Sequence, residues 1–208
     1  MALLLSVLEQ GMIYGILALG VYITYKILDF PDLTVDGSFP FGAAITVRLI
    51  NGFGVPAILT LPIAFLGGAL VGICTGLIHV KLKVRDLLSG IIMMTGLYTI
   101  NLWVAGSGYV AIFDKDNIFN NNFVNSITPD FLVNFKNVII IFLITMVAKY
   151  LLDWYMSTKS GFLLRAVGDN DTIVTSLGVD KGLVKIVGLS IANGLVSLSG
   201  CIYAQQQL

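Results

Sequence analysis

The sequence predicts an all-α, polytopic transmembrane bundle of about six membrane helices, one short and broken, with short helices on the cytoplasmic side. Three observations carry this. Of the 208 residues, 57% are apolar and 12% charged, against about 45–50% and about 25% in soluble domains. Mean hydropathy is +0.92. Charge-free stretches run over 10–25, 87–113, 137–148 and 186–208, and a hydrocarbon core of about 30 Å needs helices of about 20 residues. A chain with half the usual charge cannot solvate a globular surface, which excludes a soluble enzyme. Twelve basic residues against twelve acidic ones leave no net charge, and so none of the basic footprint of a nucleic-acid binder. Runs such as Ile58-Leu59-Thr60-Leu61-Pro62-Ile63 do not alternate as membrane β-strands must.

The elements follow from where charges are missing. Helix 1 is expected over 3–26, interrupted only by Glu9; nothing at its start resembles a cleaved signal. Helix 2 is a shorter piece over 38–51. Helices 3 to 6 are expected over 55–79, 87–107, 134–153 and 183–205. Lys and Arg concentrate in cytoplasmic loops. Placing Lys26, the 79–86 turn and the loop between helices 5 and 6 inside, with Lys181 and the flanking Lys149 and Lys185, puts nine of the twelve basic residues there. The N-terminus is then outside, and 108–133 is an external loop holding Asp114, Asp116, Asp130 and five Asn. Gly68, Gly72 and Gly76 recur every fourth position, and Gly11 with Gly15 repeats the spacing. Such stripes let helix backbones approach closely in lipid. The first is expected to be a seam within the chain, with a dimer interface as the other reading.

The chemistry-bearing motifs of enzymes are missing from the sequence. It has no phosphate-binding GxxxxGK[ST], no HExxH and no GxSxG. His79 is the only histidine, and Cys74 and Cys201 lie far apart, which offers neither a zinc site nor a disulfide framework. The informative segment is the 157–180 loop. Phe162-Leu163-Leu164 before Arg165 is a short amphipathic piece. Asp169 or Asn170 can cap a second helix over 172–177, with Gly178 as its stop. Two such helices make a docking surface; the other reading is an interfacial connector.

The pattern Gly161-x-x-x-Arg165-Ala-x-Gly168-Asp169-Asn170, followed by Leu177-Gly178-Val, resembles the coupling loop of ABC importer permeases of the branched-chain amino-acid class. Phe30-Pro-Asp-Leu-Thr-Val-Asp36-Gly37-Ser38-Phe39-Pro is similar to the broken second helix of those permeases. Met94-Thr95-Gly96-Leu97-Tyr98-Thr99-Ile100-Asn101 resembles the subgroup linked to aromatic amino acids. The resemblance implies a membrane subunit that pairs with a second permease copy in a bacterial inner (cytoplasmic) membrane. An ATPase subunit inside would hold ATP and Mg, and a solute-binding protein outside would deliver the substrate; the chain itself would carry no cofactor. Permeases of this family are longer, so the chain reads as the first two-thirds of one. Rival readings are a secondary transporter, for which Asp36 and Glu9 are the only intramembrane candidates, and a non-transporting assembly protein.

Two sets of site residues follow. In the coupling loop, Arg165 is expected to position the segment through charge-assisted hydrogen bonds and Gly168 to permit the turn between its helices. For the substrate path the expectation is Asp36, with Ser38 beside it and Thr95, Tyr98 and Asn101 lining the same space. A charge at membrane depth usually faces a cavity, and Gly37 and Pro40 would interrupt the helix there. The alternative is that Asp36 or Ser38 caps helix 2.

Overall fold

The computed structural model describes residues 2–106, 117–120, 135–176 and 178–207, and among them every regular element is helical. Helix α1 spans Ala2–Tyr22 and runs into a π-helical turn, Ile23–Ile27. Then come α2 (Val35–Phe53), α3 (Ala57–Leu82), α4 (Asp86–Ala105) and α5 (Lys136–Met156). Two short helices, α6 (Lys159–Asp169) and α7 (Asp171–Ser176), precede α8 (Lys181–Gln207). Among the described residues, five helices are long and apolar enough to cross a membrane: α1 with its π turn, α3, α4, α5 and α8. The sixth, α2, is the less apolar one. Except for 117–120, the expected external loop at 108–133 lies outside the described residues.

The bundle is organised around α8. Most of its surface is covered, by α1, α2 and α3. Lipid offers no hydrophobic force to drive helices together, so close backbone approach and interhelical hydrogen bonds must do it. The Gly68–Gly72–Gly76 stripe supplies the approach, within the chain and against α8. A Cβ on Gly72 would stand 2.7 Å from the Ser190 Cα, and one on Gly76 would stand 3.0 Å from the Ile186 Cα. From α1, Gly20 meets the Ala192 carbonyl in the same way. The side chains of α8 supply the hydrogen bonds: Ser197 Oγ donates to the Ala64 carbonyl and Ser199 Oγ to the Ile13 carbonyl, each at 2.7 Å. Nearer the end of α8, Gln205 Nε2 donates to Thr60 Oγ1 at 2.9 Å and Gln206 Nε2 to the buried Glu9 at 2.9 Å. Around this core, α4 packs outside α2 and α3, and α5 outside α1.

One expectation about α2 is corrected. Gly37 and Pro40 do not interrupt it; the helix runs through both. Proline loses the bond to the carbonyl four residues back and crowds it, here that of Asp36, and both residues lie on the exposed side of the helix. The break lies earlier. After the π turn, Asp29 adopts φ +50°, a left-handed conformation that Asp tolerates better than most residues. It turns the chain back between the helices. Ser38 N–H and Gly37 N–H then both donate to the Thr34 carbonyl at 2.9 Å, which starts α2 three residues before the expected 38.

The glycine seam and the Gly11–Gly15 pair should respond differently to added bulk. Gly72→Leu drives a side chain into α8 backbone and should cost about 1–3 kcal/mol or more. At Gly11 and Gly15 an added Cβ meets nothing within 4 Å, so Ala there should stay within roughly 0.5 kcal/mol of the parent. Thermal unfolding in detergent, followed by circular dichroism, measures both.

Candidate functional site

A polar seam lies where α2 begins, against the middle of α8. Asn193 is close to the centre of that 27-residue helix, whose length at 1.5 Å per residue is about 40 Å. It is fully buried, and its amide satisfies three partners. Nδ2 donates to Asp32 Oδ2 at 2.8 Å and to the Leu189 carbonyl at 3.1 Å, while Oδ1 accepts from Ser38 Oγ at 2.6 Å. The other Asp32 oxygen accepts the Thr34 N–H at 2.8 Å. Thr34 Oγ1 lies 3.1 Å from Thr75 Oγ1 of α3. Segment 28–34 is thus irregular backbone between helices, with Leu28, Phe30 and Thr34 buried and Asp29, Pro31 and Leu33 exposed; membranes tolerate such backbone only where protein or a water-filled cavity meets it. Phe30 N–H, for example, donates to the Thr24 carbonyl at 2.9 Å.

The expected path residues divide around this seam. Ser38 belongs to it and is fully buried. Asp36, two residues earlier, is exposed and makes no side-chain hydrogen bond among the described residues. Neither residue caps α2, whose N-cap is Thr34 with no side-chain cap bond. On α4, Asn101 Nδ2 donates to the Gly37 carbonyl at 3.1 Å, and its Oδ1 is buried without a partner among the described residues. Leu97 and Met94 pack on Gly37, where a Cβ would stand 2.8 Å from Leu97 Cδ1. Thr95 and Tyr98 do not join Asn101 at α2: Thr95 Oγ1 bonds the Ile91 carbonyl of its own helix, and Tyr98 is 68% exposed. Sequence reasoning missed Asp32 and Asn193, the two residues that tie the seam together. A signal was present: Asn193 is the lone amide in the charge-free run before Gln205.

The second constellation closes the other end of the molecule. Thr158 caps α6 by accepting the Gly161 N–H. Gly161 packs against the end of α5, where a Cβ would stand 2.5 Å from the Met156 Cα. Leu164 and Val167 are buried, and Leu164 Cδ1 and Leu28 Cδ1 close on Gly188 of α8 from two sides. Two expectations are corrected here. Gly168 does not make the turn; it lies inside α6 and lets that helix sit directly on the Ile27 carbonyl of the π turn. The turn belongs to Asn170, which has extended backbone and whose Oδ1 accepts the Thr172 N–H at 3.1 Å to cap α7. Arg165 braces nothing among the described residues. It is exposed, on one face with Phe162 and Asp169. Gly178 follows α7 with φ +75°, and its N–H bonds the Thr175 carbonyl at 3.0 Å.

Comparison with known proteins agrees with this architecture. The family described as branched-chain amino acid transport system / permease component matches residues 3–208. A tyrosine transport system permease protein of Clostridioides difficile is 42% identical over 97% of this chain and 64% of its own length. A probable branched-chain amino acid transport permease protein of Methanocaldococcus jannaschii is 26% identical over 93% of the chain and 64% of its own length. A ribose import permease protein of Haemophilus influenzae is 24% identical over 96% and 59%. The chain therefore spans somewhat under two thirds of these relatives. No solved structure matches it.

The seam yields a stability test. Asn193→Leu leaves Asp32 without its amide donor and Ser38 without its acceptor. Interhelical bonds inside membranes average about 0.6 kcal/mol each, so losing both should lower stability in thermal unfolding by roughly 1 kcal/mol or more. Thr95→Ala, which removes only a bond within α4, should change stability by roughly 0.5 kcal/mol or less.

Proposed function

Because the chain belongs to the permease component family of branched-chain amino acid transport systems, we propose that it is the membrane-spanning subunit of an ATP-driven importer. The observation that carries the reading is the two-faced α6. Its inner face is locked to α5, α8 and the π turn, while Phe162, Arg165 and Asp169 stand exposed on the other. A helix fixed on one side and bare on the other suits docking to a cytoplasmic ATPase subunit. Nucleotide-driven motion of that subunit pushes α6. The push reaches α8 through Leu164 and Gly188, and α1 through Gly168 and Ile27. Both helices lead to segment 28–34 and the start of α2, so the same motion shifts Asp32, Asn193 and Ser38.

The transported solute is a small molecule, an amino acid, aromatic in keeping with the name of the tyrosine-system relative. A binding protein delivers it from outside, and the path runs past the exposed Asp36 beside α4. Asp36 pairs with the substrate ammonium group, and a second permease copy completes the channel. The N-terminus lies outside a bacterial inner membrane. ATP and Mg are bound by the ATPase, and this chain holds no cofactor.

Two substitutions test separate parts of this. Arg165→Glu should sharply reduce ATPase co-purification and uptake while leaving thermal stability within roughly 0.5 kcal/mol; unchanged assembly and uptake would contradict docking. Gly168→Leu is no substitute, since it unseats α6 from the π turn. Asp36→Asn should lower uptake of radiolabelled amino acid at normal expression, and full uptake would show that the carboxylate charge plays no part in binding.

A further inference from the structure

Helices α1 and α2 both lie on α8 but scarcely touch each other among the described residues. Three aromatic rings close the gap between them. Tyr14 of α1 stacks on Phe39 of α2, with centroids 6.0 Å apart and planes at 19°. Tyr203 of α8 forms the floor, 5.5 Å from the Phe39 centroid and 6.1 Å from that of Tyr14. The cluster is not sealed. Tyr14 is 46% exposed, and Phe39 and Tyr203 are half-buried. Asp36 stands three residues before Phe39 on α2, and positions i and i+3 of a helix are neighbours on one face. An exposed carboxylate and three open rings therefore share one surface.

That surface does not suit lipid. Ser38 bonds Asn193 near the middle of α8, and Asp36 is two residues, about 3 Å of helix rise, from Ser38. A charge at membrane depth faces a partner or a cavity. Glu9 and Asp32 each have an amide partner, Gln206 and Asn193, whereas Asp36 has none among the described residues. Tyr14 repeats the pattern. Tyrosines that meet lipid collect at the two membrane interfaces, but Tyr14 lies next to the midpoint of the 3–27 span. Its hydroxyl has no hydrogen-bond partner among the described residues. Water or a polar solute running past this face satisfies both groups.

We propose that Tyr14, Phe39 and Tyr203 form the wall that recognises the ring of an aromatic amino acid while Asp36 takes its ammonium group. This rests on the importer reading, in which Asp36 lines the path, and names the residues that set its selectivity. A carboxylate alone accepts any ammonium group. Rings add a preference, because aromatic pairs gain more than their buried area alone supplies. Stacked centroids sit about 4.5–7 Å apart, so Tyr14 and Phe39 leave no room for a ring between them. The ligand ring lies against the open side of Tyr14.

Saturation-transfer NMR of the purified chain in nanodiscs tests this without the ATPase, with tyrosine, leucine and phenylpropionate as separate probes. The parent should bind tyrosine several-fold more tightly than leucine, and phenylpropionate, which lacks the ammonium group, weakly. Tyr14→Leu and Phe39→Leu should each weaken tyrosine roughly two- to ten-fold and leucine far less. Tyr14→Phe keeps the ring and should restore most of what Tyr14→Leu loses. Asp36→Asn should weaken both amino acids alike. Equal affinity of the parent for tyrosine and leucine, which needs no variant to fold, would overturn the proposal. So would unaltered tyrosine binding by the Tyr14→Leu, Phe39→Leu double variant. Equal losses of tyrosine and leucine in the ring variants would reduce the rings to a strut between α1 and α2 and sink the selectivity role. The importer reading fails on a different measurement, the absence of uptake while this binding is intact.

Discussion

Everything in this molecule depends on how α8 is buried. A helix that contacts protein rather than lipid on most of its surface gains little from its apolar residues, because acyl chains are as apolar as leucine. What distinguishes the protein interior is closer contact and hydrogen bonding. The chain provides both on the same helix. Glycines of α1 and α3 let backbones of neighbouring helices touch α8, and Ser197, Ser199, Asn193 and Gln205 bond groups on α1, α2, α3 and segment 28–34. Such bonds average only about 0.6 kcal/mol each inside membranes. Their number and their convergence on one helix make the arrangement specific.

The irregular segment 28–34 is the consequence that bears on function. Helix α2 starts level with the middle of α8, so the chain between α1 and α2 occupies space that a full-length helix would fill. Its backbone polar groups must find partners inside protein. Asp32 serves that need by accepting the Thr34 N–H, and Asn193 holds Asp32 and Ser38 together across the gap. The segment's Leu28, and Ile27 of the adjoining π turn, touch α6 at Gly168. This is the place where the docking end and the middle of the bundle share contacts.

How much of this was legible in sequence depends on the kind of signal. The all-α membrane fold was, because missing charge over stretches of about 20 residues admits few other answers. The Gly68–Gly76 stripe was legible as a seam, since a four-residue period marks one helix face; its partner was not, because spacing says nothing about the opposite helix. Asn170 and Gly178 stood out as cap and stop through their local backbone chemistry. The path residues were harder. Asp32 and Asp36 lie four positions apart in one polar segment, and only tertiary packing turns one toward Asn193 and leaves the other exposed. Pro40 misled for a related reason: its ring removes one hydrogen bond at an exposed edge, which a packed helix survives.

The central claim is that Asn193 of α8 holds segment 28–34 inside the bundle, against α3. Disulfide formation between cysteines at 34 and 75, in a protein with Cys74 and Cys201 replaced by Ser, measures this directly. The Thr34 and Thr75 hydroxyls are 3.1 Å apart and buried, so the pair should cross-link under mild oxidation and do so several-fold more slowly once Asn193 is also replaced by Leu. Absence of the cross-link with Asn193 intact would contradict the account.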